Sequence, residues 1–149
     1  MVLALVAVGC GSGSSSGRPP PPSSGLSAAA TSAPRRVYRV TLTGKSETPA
    51  GAANGSGAAV IAIHRGSVVC WRFAHLHGFL NATVAHIHIG PQGRSGAVVV
   101  PLSMGPRLHH RGCVQASAET VTAIERHPSS YYVNIHSVKY PAGAVRAQL

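Results

Sequence analysis

The chain has 149 residues, with 13 Lys and Arg against three Glu and no Asp, and a formal net charge of +10. So few acids leave little choice of pair for a two-carboxylate glycosidase and no carboxylate cage for calcium or magnesium. A Ser-His-Asp triad has no Asp to orient its His, and only a Glu could take that part.

Met1 to Gly9 (MVLALVAVG) is an uninterrupted apolar run that ends at Cys10. An apolar stretch, small residues, a Cys and then a Gly/Ser linker resemble the end of a bacterial lipoprotein signal peptide. In that reading Cys10 is the lipidation site and residues 1–10 are the signal end. No Lys or Arg precedes the run, which places the expected start further upstream. The run is too short to cross a bilayer core, which needs about 20 apolar residues. Residues 11–36 are mostly Gly, Ser, Pro and Ala. They cannot bury enough apolar surface to offset their ordering entropy, so they read as a disordered tether.

The domain is expected over residues 37–149. Arg36 to Thr43 alternates and is β-branched, a strand signal. A turn-rich loop follows. Ala58–His64 and Ser67–His75 read as two strands of a hairpin turning at Arg65-Gly66. Ala82–Ile89 is a fourth strand. Ala97–Pro101 is a short one that Pro101 is expected to end. Gly112–Ala116 is weaker. Ser117 can cap a helix carrying Ala118, Val121 and Ile124 at helical spacing, and Pro128 stops it. Tyr131–Val138 and Ala144–Leu149 are the last strands. Seven or eight short strands with Gly/Pro turns and one short helix predict an all-β, antiparallel sandwich.

Cys70 and Cys113 remain once Cys10 is assigned to lipid. In an exported chain this pair reads most simply as a disulfide. Buried free thiols and metal ligands are the alternatives, and no CxxC spacing favours metal.

Strand alternation sorts the histidines. His86 and His88 share one face of their strand, Asn134 and His136 one face of theirs, and Arg146 and Gln148 one face of the last. If these strands share a sheet, the polar faces coincide. Three converging imidazoles are ligands for copper or zinc. The same residues also suit a hydrogen-bonded polar network. Arg146 would repel a cation, and the sequence favours the network. The other histidines (His64, His75, His77, His109, His110, His127) are expected to be solvated at strand ends and in loops.

His86-Ile87-His88-Ile89-Gly90 with Gly93, Gly96 and AVVVPL, then Tyr132-Val133-Asn134-Ile135-His136, resemble the chordin-type CHRD domain family. So do Tyr140-Pro141-Ala142-Gly143-Ala144-Val145-Arg146-Ala147-Gln148-Leu149, Glu47-Thr48-Pro49 and Gly57. The resemblance covers about Tyr38 to Leu149. Ala147 stands where the pattern usually has Gly, and Ala144 where it often has Glu. The resemblance implies an immunoglobulin-like Greek-key fold in an exported protein. It does not carry a growth-factor partner over to a single tethered domain.

These features predict a surface-tethered binding or adhesion module on the outer face of the cell membrane, held there through its lipid anchor alone. Its partner would be a protein or a cell-envelope polymer. The alternative is a His-rich exported protein that binds copper or zinc for sequestration or redox chemistry. The HIH strand is similar to that of copper–zinc superoxide dismutase, but no bridging His or Asp ligand is evident. No catalytic motif such as G-x-S-x-G is present, so a non-enzymatic role is expected. The basic residues are spread singly without interleaved aromatics, so no nucleic-acid partner is expected. Glu47 is expected to pair with Arg146 rather than to act as a base.

Overall fold

The computed structural model describes residues 33–149. The lipoprotein-type segment, Cys10 and the tether as far as residue 32 lie outside the described residues.

Eight strands form: β1 (Arg36–Thr43), β2 (Ser56–Ile63), β3 (Val68–His77), β4 (Ala82–Ile89), β5 (Val98–Ser103), β6 (Arg111–Gln115), β7 (Tyr131–Ser137) and β8 (Val145–Gln148). One α-helix, α1 (Ala118–Arg126), lies between β6 and β7. Every strand pairing is antiparallel, and the order across the single sheet is β5-β4-β7-β8-β1-β2-β3-β6. The two outer strands, β5 and β6, approach each other, so the sheet is nearly barrel-shaped. The fold is all-β and antiparallel, as the alternation predicts.

Alternation decides which side chains enter the barrel. Leu42, Ile61, Ile63, Val69, Ile87, Val133, Ile135 and Val145 are fully buried in one core. Helix α1 adds Val121 and Ile124 to it. Ser117 caps α1, its hydroxyl accepting from the Thr120 N–H at 3.0 Å. Such a cap stabilises a helix by about 1 kcal/mol.

Cys70 and Cys113 face each other in register on β3 and β6 and form a disulfide. The bond ties outer strand β6 to the sheet. Two expectations need correction. Pro101 does not end β5, which runs on to Ser103. A proline is tolerated there because β5 has a ladder neighbour on one side only. His64 is not solvated but buried at the β2–β3 turn, 6% exposed.

Candidate metal centre

The outward face of β4, β7 and β8 carries two rows of polar side chains. The register places His86 beside Asn134 and Asn134 beside Arg146. It places His88 beside Tyr132 and Tyr132 beside Gln148. Outward side chains of a barrel normally meet water. Here they are buried, because the β4–β5 loop folds over them as a roof. His86, His88, Asn134 and Arg146 are all 9% exposed or less.

The polar residues themselves latch the roof down. Arg146 donates to the carbonyls of Arg94 (2.8 Å) and Pro91 (2.9 Å), and Gln148 to that of Gly90 (2.8 Å). The Gly96 N–H donates to the Tyr132 hydroxyl at 3.2 Å. Ser95 donates to the Thr48 carbonyl, joining the roof to the β1–β2 loop. Gly96 packs so close to the Ile89 carbonyl that a Cβ there would overlap it.

Under the roof, His86, His88 and His136 converge. One ring nitrogen from each lies within 4.8 Å of the others. His86 Nδ1 is 3.2 Å from His136 Nε2. His88 Nδ1 lies 2.9 Å from the Gly96 carbonyl, and His136 Nδ1 lies 2.8 Å from the Pro141 carbonyl. A carbonyl only accepts, so both Nδ1 atoms carry hydrogen and both Nε2 atoms present lone pairs, that of His136 accepting from His86 Nδ1–H. His88 Nε2 is buried with no hydrogen-bond partner. Backbone carbonyls thus fix the tautomer and ring orientation that a metal ligand needs.

Protonation is disfavoured at His86 and His88. Burial lowers the His86 pKa to about 4, and the neighbouring His136 and His88 push the same way. Burial also lowers the His88 pKa, helped by His136 and the Arg146 charge and opposed by hydrogen bonding to the Gly96 carbonyl and the Asn134 side chain. Neutral imidazole is the ligating form. The cluster meets solvent through His136, which is only partly buried.

Arg146 does not confront the histidines directly. Strand β7 runs between β4 and β8, so the Tyr132 ring stands between His88 and Arg146. The His88 ring stacks on Tyr132 at 4.8 Å, and the Arg146 guanidinium lies 3.3 Å from the Tyr132 centroid. The expected Glu47–Arg146 ion pair does not form, because the guanidinium is committed to the roof carbonyls and Gln148. Glu47 is buried beside Gly143, and its Oε1 has no hydrogen-bond partner. Burial pushes its pKa up to about 7, against opposing effects of Asn134, the Arg146 charge and the Thr48 backbone.

Asn134, Arg146 and Gln148 share the outward face with the three histidines, and Arg146 donates to Gln148 at 3.3 Å; Glu47 lies off these strands, in the β1–β2 loop. Alternation also puts Tyr132 on this face, where its ring stacks on His88. The supporting Gly96 and Pro141 carbonyls have no residue signature.

In comparisons with known proteins, the CHRD domain family profile matches residues 38–149. The chain belongs to that family. No curated protein and no solved structure matches it.

Proposed function

We propose that this CHRD domain binds a transition-metal ion, copper or zinc, through His86, His88 and His136. One observation carries the reading. Three ring nitrogens converge, two of the rings have their tautomers held by carbonyls, and His88 Nε2 is buried without a hydrogen bond. A purely structural network would satisfy that nitrogen, since a buried unpaired polar atom costs about 1–3 kcal/mol. An all-imidazole donor set suits copper or zinc and is unlike the oxygen cages of calcium and magnesium. The Arg146 charge still disfavours positive charge at His88, but the Tyr132 ring stands between the two groups and the guanidinium is bound to the roof carbonyls.

The rest of the reading concerns place. The domain acts outside the cytoplasm on a lipid-anchored tether at Cys10, as a binding module whose ligand is the metal. The disulfide supports an oxidising compartment. The barrel is read as an immunoglobulin-like Greek key. In support, β4, β5 and β6 follow one another around it and β6 returns beside β3.

The test is metal analysis and calorimetry on the purified chain with copper or zinc. The parent should bind one equivalent, and His86→Ala/His88→Ala should bind none. Copper(II) in the parent should show nitrogen hyperfine coupling by electron paramagnetic resonance. No stoichiometric metal in the parent would end the proposal.

A further inference from the structure

A second surface, on the opposite part of the barrel, is built from charge. β1, β2, β3 and β6 are neighbours in the sheet. The register aligns Arg39 with Val60, Val60 with Arg72, and Arg72 with Arg111. Residues in register on adjacent strands point to the same side of a sheet. Arg39, Arg72 and Arg111 therefore form one row on the outside, and all three are exposed. With strands about 4.8 Å apart, the row spans about 14 Å.

Nothing on this face neutralises the row. The four strands contain no acid. Among the described residues the ion pair found is Arg35–Glu125, which involves none of the three. Arg72 and Arg111 stand directly opposite each other, and like charges so placed destabilise a sheet. The side chains between and beside the arginines are short: Ala58, Val60, Ala62 and Ala74. They leave the guanidinium groups standing clear of a low surface.

We propose that this arginine row is a binding site for a linear polyanion bearing phosphate groups, such as an anionic polymer of the cell envelope. Guanidinium matches phosphate through paired hydrogen bonds. A bound chain would also relieve the Arg72–Arg111 repulsion. Shape selects the polymer over a bilayer. The row runs across the strands, around the girth of a nearly closed barrel, and so curves away from any plane. A flexible chain can follow that curve, whereas a flat membrane touches only part of it. The site shares no residue with the histidine cluster and stands or falls independently of the metal.

The experiment titrates the full chain with inorganic polyphosphate, and separately with anionic phospholipid vesicles, across a series of salt concentrations. The variants are Arg39→Gln/Arg72→Gln/Arg111→Gln and a charge-matched control, Arg65→Gln/Arg107→Gln/Arg126→Gln. The row variant should lose at least about tenfold in polyphosphate affinity, with a salt dependence of log K shallower by about 2 for three lost contacts. Its Tm should be equal to or above the parent's, showing that the loss is not unfolding. The control should keep most of the affinity. Equal loss in both variants would overturn the proposal, since it would mean attraction to net charge alone. Unchanged binding by the row variant, or vesicle binding without polyphosphate binding, would overturn it as well.

Discussion

Glu47 offers a sharp test of the electrostatics beneath the roof. Its carboxyl is 6% exposed and is pushed from an ordinary pKa near 4.5 up to about 7 by burial. A carboxyl whose folded pKa is raised costs nothing below the unfolded pKa, where it is protonated in both states. The cost appears as pH rises from about 4.5, because the unfolded chain ionises first, and it is complete above about 7. That rise corresponds to about 3 kcal/mol as an upper bound. Glu47→Gln keeps the shape and removes the ionisation. The variant should match the parent at pH 4.5 and gain progressively to pH 8.5, by up to about 3 kcal/mol, or about 10 °C in Tm for a domain of this size. The lowered His86 pKa works in the opposite sense between about 4 and 6.5, favouring the folded state as pH rises. It is common to both proteins and cancels in the difference. Urea unfolding followed by the fluorescence of Trp71, the chain's single tryptophan, gives the measurement. A variant less stable than the parent at pH 8.5 would refute the reasoning, because it would mean that an ionised Glu47 is stabilised by Arg146 more than burial penalises it.

Cys70→Ser/Cys113→Ser should lose about 4 kcal/mol, from the loop entropy of a 43-residue separation; denaturant midpoints with and without reductant check it. Gly143 has a φ of 140° and no room for a Cβ beside the Glu47 carboxyl. Gly143→Ala should therefore cost about 1–3 kcal/mol, with a further Glu47→Ala change recovering part of it in a double-mutant cycle. Ile124→Ala, which empties a fully buried position under α1, should cost about 2–5 kcal/mol by the same unfolding assay. Cys10→Ser should move the protein from the membrane to the soluble fraction on cell fractionation; unchanged partitioning would remove the lipid anchor.

The strands were legible because their alternation is clean. β1 and β4 have the expected bounds, and the faces of β4, β7 and β8 gather His86, His88, Asn134, His136, Arg146 and Gln148 as alternation requires. The helix was legible from Ser117 and the spacing of Val121 and Ile124. The roof was not. Its contacts run from side chains to the carbonyls of Gly90, Pro91, Arg94 and Gly96, and a carbonyl looks the same in every residue. For that reason the fate of Arg146 could not be read: its charge suggested repulsion of a cation or a bond to Glu47, whereas loop carbonyls absorb it. His64 reads as a hairpin-end histidine by sequence, and only the closing of the barrel buries it. Curling of the sheet brings β5 and β6, its two end strands, together, and no local pattern encodes that closure.

The meeting of β5 and β6 has a further consequence. Any sheet that stops short of full closure leaves two lips, each able to recruit a strand from another molecule. On one, the ring nitrogen of Pro101 has no hydrogen to lend to a ladder. On the other, the Cys70–Cys113 bridge pins β6 in register against β3 and leaves its outer side facing β5. Replacing Pro101 would return a ladder donor to the first lip.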